Sequence, residues 1–230
     1  MPAPPDAPAL PPLTPEAFQS QAEVTPAQMD RLRAYAETLE KWQKSINLVA
    51  RGTLADLWRR HILDSAQALP LLPPIPPGST GAPRTLVDLG SGAGFPGLVI
   101  AALTDPGDWQ VHLVESDGRK CAFLAEAARA MGLTVGRDLF IHRTRIEDLP
   151  KMAEIQAPAV TARALAPLDD LLDMAEFILR KDGIGVFLKG KKWEEELTAA
   201  KKRWMMHATP HSSLTDPEGR ILVVSDLVRN

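Results

Sequence analysis

From residue 84 to its end, the chain alternates short apolar segments with amphipathic ones. Seven segments predict β-strands, at 85–89, 110–114, 139–142, 159–161, 185–189, 205–209 and 221–225. Four segments between them predict helices, at 97–103, 119–131, 168–180 and 193–202. Such alternation requires right-handed crossovers, so we expect an α/β fold with a mostly parallel seven-stranded sheet and helices on both faces. Ligands of such sheets bind beyond the carboxyl ends of the strands.

Prolines divide the chain, because each one fixes φ and removes a backbone donor. Eight of the 21 prolines lie within the first 26 residues, and six more lie between residues 70 and 83. We therefore predict a disordered proline-rich arm at 1–24, an N-terminal helical cap at 25–72, a linker at 73–83 and the sheet domain at 84–230. Within the cap, apolar residues at helical spacing follow Thr25-Pro26, and a second helix is expected over 54–69.

Cysteine and charge content narrow the class of protein. A single cysteine excludes an intramolecular disulfide framework, and no segment is typical of a signal peptide or a membrane span, so we expect a cytoplasmic protein. Five histidines and this cysteine show no metal-ligand spacing, so no metal is expected. With 26 basic and 29 acidic residues, any nucleic-acid contact must come from local clusters. The candidates for such contacts are Arg60, His61, Lys189, Lys191 and Lys192.

The most informative segment, LVDLGSGAGFPGLVIAAL at 86–103, predicts a strand, a glycine-rich turn and a helix. It satisfies GxGxxG, which is weak support for a dinucleotide. Asp88 lies near the end of the strand, two residues before Gly90 and four before Gly92. Its carboxylate is expected to face the ligand, where it would repel a pyrophosphate but attract an ammonium or a sulfonium. This favours S-adenosylmethionine over the nicotinamide cofactor of an oxidoreductase. Glu115, after the next strand, would accept hydrogen bonds from ribose hydroxyls with either cofactor.

Seven stretches together resemble the RsmG family, formerly called GidB, of bacterial 16S rRNA guanine-N7 methyltransferases. They are WQKSINLVA from residue 42, RHILDS from 60, VDLGSGAGFPG from 87, ESDGRKCAFL from 115, RIEDL from 145, TARALAPL from 161 and FLKGKKWEEEL from 187. Two positions depart from the family pattern: Val49 replaces the usual threonine, and Glu115 replaces the commoner aspartate. The resemblance implies a Rossmann-like class I S-adenosylmethionine-dependent methyltransferase at 84–230.

The resemblance also implies site residues and a substrate. It places Gly90 and Phe95 on the cofactor, Ile146 and Glu147 on its adenine, and Arg163 in the site. The substrate implied is N7 of one guanine, guanosine 527, in 16S rRNA, presented by the 30S subunit or by an assembly precursor.

Guanine N7 has an in-plane lone pair and carries no proton, so no general base is expected and catalysis rests on in-line positioning. Cys121 lies in an apolar helical segment and is interpreted as a buried small hydrophobe rather than a nucleophile. Two alternatives share every cofactor feature. One is a methyltransferase that acts on a small molecule or a protein, and the other is a non-catalytic module that binds S-adenosylmethionine.

Overall fold

A computed structural model describes residues 11–74, 84–105, 107–145, 148 and 155–230 of the 230-residue chain. Its N-terminal part is helical and irregular. The elements are α1 Pro15–Ala22, α2 Pro26–Gln43, α3 Arg51–Leu54, a π-helix at Trp58–Leu63, α4 Asp64–Ala66 and a 3-10 turn at Leu69–Leu71. Helix α2 begins at a capping box in which Thr25 and Gln28 bond each other's backbone N–H groups, with a proline at the first helical turn.

The prediction of a disordered arm is wrong for residues 15–22. Thr14 caps α1 by accepting a hydrogen bond from the Ala17 N–H, and Pro15 begins the helix. The Phe18 side chain is fully buried, and its ring lies 5.5 Å from the Trp58 ring. One aromatic side chain therefore anchors this proline-rich segment to the cap, while residues 1–10 lie outside the described part of the chain.

Seven strands form one sheet in the order β3-β2-β1-β4-β5-β7-β6. The elements of this domain are β1 Arg84–Leu89, α5 Gly97–Leu103, β2 Trp109–Glu115, α6 Gly118–Ala130, β3 Leu139–Arg143, β4 Ala157–Arg163, α7 Leu168–Ala175, β5 Leu179–Lys189, α8 Trp193–Ala200, β6 Trp204–Ser212 and β7 Arg220–Arg229. Strands β1 to β5 pair in parallel with one another, and β7 lies antiparallel between β5 and β6. The strand order reverses between β1 and β4, which places a ligand crevice at their carboxyl ends.

Helix α7 is shorter than predicted. It ends at Ala175 instead of continuing to residue 180, and β5 begins at Leu179. The Ile178 carbonyl accepts a hydrogen bond from the Ala157 N–H, and Ile178 is almost fully buried. Pairing with β4 draws this apolar segment into the sheet, so tertiary contacts override its helical periodicity.

The cap packs directly on the sheet domain. One continuous apolar cluster contains Phe18 and Leu32 of the cap together with Leu98 of α5 and Phe123 of α6. The buried Tyr35 hydroxyl donates a hydrogen bond to the Ala93 carbonyl in the turn after β1. Helix α2 therefore supports the glycine-rich turn from behind.

Candidate active site

Two adjoining cavities lie at the carboxyl ends of the parallel strands. The first, of about 520 Å³, is lined by the turn after β1, the end of β2 and residues 144–145. The second, of about 570 Å³, is lined by the π-helix, the ends of β4 and β5 and the loop between β6 and β7. The two cavities share four lining residues, His61, Arg163, Ala164 and Leu165. Ligands bound in the two cavities would therefore meet at this boundary.

The floor of the first cavity is the glycine-rich turn. Gly90 and Gly92 have φ values of +61° and +56°, a region that favours glycine. A Cβ atom at Gly90 would lie 2.4 Å from Cδ1 of Leu165. The carboxylate of Glu115 accepts hydrogen bonds from the Gly92 N–H (2.9 Å) and the Asp117 N–H (2.8 Å), which fixes the turn against the end of β2.

Glu115 lines the first cavity and retains acceptor capacity, because an ionised carboxylate offers about four lone-pair sites. The backbone comes close to the cavity at both glycines. An acceptor for vicinal hydroxyls beside a glycine floor fits the ribose and the amino-acid tail of S-adenosylmethionine.

Asp88 does not line either cavity, so the prediction that its carboxylate faces the cofactor is wrong. The side chain is fully buried, where Oδ1 accepts from the Thr161 hydroxyl (2.8 Å) and Oδ2 from the Gly97 N–H (3.3 Å). Burial raises its pKa to about 6. Neighbours Val87 and Leu89 pack on the opposite face of the sheet, so alternation along β1 directs Asp88 toward α5. Asp88 thus joins β1, β4 and the start of α5.

Arg163, at the end of β4, is the centre of the boundary between the cavities. Its Nη1 donates to Oδ2 of Asp64 (3.1 Å) and to the Arg60 carbonyl, and its Nη2 contacts Nδ1 of His61 (2.9 Å). The guanidinium carbon lies 4.7 Å from the centre of the Phe95 ring. His61 and Asp64 lie three residues apart in the sequence, and Arg163 bonds to both of them.

The neighbours of His61 determine its tautomer. Because a guanidinium can only donate, Nδ1 accepts from Arg163, and Nε2–H must then donate to the Thr53 hydroxyl at 2.7 Å. That hydroxyl in turn donates to the Ala50 carbonyl (2.8 Å). Burial, with the Arg163 and Arg60 charges nearby, lowers the pKa of His61 to about 3. His61 is therefore neutral, and both of its ring nitrogens are engaged.

This lowered pKa predicts an acid-sensitive contribution of His61 to stability. The unfolded chain binds a proton at His61 below about pH 6.5 and the folded chain does not, so stability falls as the pH decreases. Between pH 7 and pH 5 the loss attributable to His61 is about 2 kcal/mol. We expect the free energy of unfolding of His61→Asn, whose amide oxygen can still accept from Arg163, to fall by about 2 kcal/mol less than that of the wild type between pH 7 and pH 5. Urea unfolding at the two pH values measures the difference.

Asp88, whose raised pKa acts in the opposite direction, is present in both proteins and cancels in this comparison. Parallel stability curves for the two proteins between pH 7 and pH 5 would contradict the assignment of a neutral, buried His61.

The basic candidates differ in their surroundings. Lys189 is not available to phosphates, because its Nζ is paired with Glu196 and bonded to the Ala166 carbonyl and its side chain is only 6% exposed. It lines the second cavity instead. Arg60 is exposed at the rim of that cavity, and Lys191 and Lys192 are exposed before α8. The predicted adenine contacts, Ile146 and Glu147, lie outside the described residues.

The sequence analysis did not predict several residues that lie at or beside the boundary. Asp64 Oδ1 accepts from the Thr215 hydroxyl, which ties the β6–β7 loop to the cap across 151 residues of sequence. Ala164 has φ of +53°, an unfavourable conformation for a residue with a Cβ, and it lines both cavities. Only RHILDS signalled part of this arrangement, by placing Asp64 one helical turn after His61. Contacts between distant loops leave no periodic pattern.

Other chemistries receive no support from the described residues. Among them, no group of three or more histidine, cysteine, aspartate or glutamate side chains is arranged to hold a metal ion. None of their helices is both long and apolar enough for a bilayer span. The Cys121 thiol is partly rather than fully buried, donates to the Glu115 carbonyl and lines neither cavity. Burial raises its pKa, which makes a thiolate nucleophile unfavourable.

The sequence is similar to a characterised family over most of its length. The profile of the GidB family, described as rRNA small subunit methyltransferase G, matches residues 28–221. A relative from Rhodospirillum rubrum, named ribosomal RNA small subunit methyltransferase G, is 48% identical over 94% of this chain and 100% of its own. A relative of the same name from Parvibaculum lavamentivorans is 47% identical over 92% of this chain and 89% of its own.

Solved structures share the fold at low sequence identity. The CurJ carbon methyltransferase has a TM-score of 0.54 at 13% identity, covering 93% of this chain and 70% of its own. Aeropyrum pernix fibrillarin in complex with natively bound S-adenosylmethionine has a TM-score of 0.50 at 14% identity, covering 72% of this chain and 76% of its own. The fold described above is therefore that of the class I S-adenosylmethionine-dependent methyltransferases.

Proposed function

Because the chain belongs to the GidB family of small subunit rRNA methyltransferases, we propose that it methylates N7 of one guanine, guanosine 527, in 16S rRNA. S-adenosylmethionine is the methyl donor, and the first cavity with Gly90, Gly92 and Glu115 would hold it. The bound cofactor supplies an electrophilic methyl group at a sulfonium. Its methyl group would be directed toward the boundary with the second cavity.

The observation that carries the choice of N7 is the chemistry of that boundary. Attack by an exocyclic amine or a hydroxyl releases a proton that a base must accept, whereas N7 has no proton to lose. Of the four residues that both cavities share, only His61 could act as a base, and both of its ring nitrogens are engaged. A boundary without an available base, at the place where the methyl group would be transferred, suits a nucleophile that needs none.

The residues at the boundary would then act by positioning and by excluding water. The Phe95 ring packs against Arg163 and is stacked on His61 with centroids 5.0 Å apart. Arg163 is held by Asp64, whose carboxylate offsets its charge beside a base that becomes cationic on methylation. Well-oriented reactants can gain about 7–11 kcal/mol from such positioning.

The test is transfer of labelled methyl from S-adenosylmethionine to 30S subunits that lack the modification, compared with stripped 16S rRNA. The labelled product is mapped by chemical cleavage at N7-methylguanosine. Label at one guanosine supports the proposal, and the better substrate shows whether ribosomal proteins present the base. Cofactor binding without labelled RNA would instead favour the methyltransferase for a small molecule or protein, or the non-catalytic module.

Contact with rRNA requires exposed cations near the second cavity, and Lys191 and Lys192 at the start of α8 meet this need. We expect Lys191→Ala with Lys192→Ala to raise KM for 30S subunits about 3-fold to 10-fold. The slope of the logarithm of the binding constant against the logarithm of the salt concentration should become less steep by about 1–2. Lys201→Ala with Lys202→Ala removes equal charge at the opposite end of α8 and serves as the control. Equal effects of the two double variants would refute a specific role for Lys191 and Lys192.

A further inference from the structure

The second cavity differs in character between its two sides. On one side lie the four residues that it shares with the first cavity, which is the side nearest the proposed cofactor site. On the other side lies the β6–β7 loop, which lines the second cavity but not the first. Apolar groups of Leu165, Pro167, Leu188 and Ile221 contribute to its lining. A cavity with apolar surfaces and polar groups at two separate places suits a flat heteroaromatic base.

Three carboxylates line this cavity, and two of them are paired with cations of the protein. Asp64 holds Arg163 and Thr215, and Glu196 holds Lys189 and the Leu168 N–H. Asp216 differs, since it forms no ion pair with any described residue; its Oδ1 accepts from the Glu218 N–H (3.0 Å) and its Oδ2 accepts no hydrogen bond from them. Asp216 therefore offers the cavity an acceptor that the protein itself leaves open.

Arg163 offers donors at the other side of the cavity. A guanidinium carries five N–H donors, and contacts with the Arg60 carbonyl, Asp64 and His61 occupy three of them. Donors at the boundary and an acceptor on the loop form a polarised pair. Guanine has the matching polarity, because O6 lies beside N7 and the 2-amino group is the polar group farthest from N7.

We propose that the second cavity receives the target guanine, with Arg163 donating to O6 and Asp216 Oδ2 accepting from the exocyclic 2-amino group. The proposal rests on the proposed function, because it is N7 that must face the first cavity. With N7 there, O6 lies near Arg163 and the amine points toward the loop. Asp216 is thus a specificity-determining residue.

The loop that carries Asp216 is fixed relative to Arg163. Thr215 donates to Asp64, which is bonded to Arg163, and the Leu214 N–H donates to Oε1 of Gln67 (2.6 Å). An acceptor held in place disfavours a base that lacks the amine, because Asp216 Oδ2 then loses the hydrogen-bond donor that guanine provides.

The test uses 30S subunits reconstituted with 16S rRNA that carries either guanosine or inosine at the target position. Inosine lacks only the 2-amino group. We compare kcat/KM for methyl transfer, and the Kd of the same subunits for enzyme holding S-adenosylhomocysteine, in the wild type, Asp216→Asn and Glu218→Gln. The asparagine keeps an oxygen for the Glu218 N–H and puts an NH₂ donor in place of Oδ2. Glu218 is exposed on the same loop and lines neither cavity, so Glu218→Gln controls for loss of charge.

The wild type and Glu218→Gln are expected to prefer guanosine about 10-fold to 100-fold in kcat/KM, with weaker binding of the inosine subunits. In Asp216→Asn, kcat/KM for the guanosine subunits should fall to near the wild-type value for the inosine subunits. Its kcat/KM values for the two substrates should then agree within about 2-fold. A preference for guanosine that persists in Asp216→Asn, or is absent from the wild type, overturns the proposal. If no enzyme forms N7-methylguanosine on the guanosine subunits, the proposed function itself fails.

Discussion

Arg163→Ala is expected to lower kcat/KM for methyl transfer to 30S subunits by about 100-fold or more while the chain still folds. The guanidinium joins four groups at the boundary, namely the Arg60 carbonyl, Asp64, His61 and the Phe95 ring. Without it, the side chains between cofactor and base lose their common partner. A misplacement of about 1 Å between reacting groups can cost about 100-fold in rate.

Loss of stability must be separated from loss of catalysis. Arg163 and Asp64 are 15% and 21% exposed, so removal of the cation leaves a largely buried carboxylate and is expected to cost about 2–4 kcal/mol. Arg163→Met combined with Asp64→Asn removes both charges and should recover most of that stability without recovering activity. Arg163→Lys keeps the charge but cannot bond Asp64 and His61 together, so it should remain impaired. If the double variant works within about 3-fold of the wild type, Arg163 serves the fold alone.

The architecture could be predicted because parallel strands that are buried on both faces have nearly continuous apolar sequences. The seven predicted strands and the helix at 97–103 correspond to observed elements, and their alternation implied the parallel sheet that the structure contains. Predictions failed where a single tertiary contact decides the outcome. Burial of Phe18 makes a helix of a proline-rich segment, and pairing of Ile178 with Ala157 ends α7 early.

The site was predictable in location but not in the direction of its side chains. Asp88 and Glu115 both lie near the carboxyl ends of strands and both carry carboxylates, yet the first is buried toward α5 and the second lines the first cavity. Sequence cannot tell which way a strand-end side chain turns, because that depends on how the pleat meets the covering helix. The open Asp216 oxygen was likewise invisible, since it depends on a loop bonded to the distant Asp64 and Gln67.

Gly97→Ala is expected to lower the free energy of unfolding by about 3 kcal/mol. A Cβ atom there would lie 2.4 Å from Cδ2 of Leu113 and 2.8 Å from Oδ2 of Asp88, both fully buried. Extra volume in a packed core costs about 1–3 kcal/mol. Displacement of Asp88 also weakens its bond with the Gly97 N–H, and an unsatisfied buried acceptor costs about 1–3 kcal/mol. Urea unfolding measures the change, and Gly52→Ala, with no heavy atom within 4 Å of its new Cβ, is the control.

Coupling with Leu113 then shows whether close packing of α5 on the sheet is the cause. Leu113→Ala opens space where the new methyl group would go. The loss of unfolding free energy in the double variant should therefore be smaller than the sum of the two single losses, by about 1 kcal/mol or more. Strict additivity, or a Gly97→Ala protein as stable as Gly52→Ala, would mean that the helix can shift without cost. Gly97, the last glycine of the GxGxxG pattern, would then be needed only for the turn. In the structure its missing side chain also lets α5 pack closely on Leu113 of β2 and on Asp88.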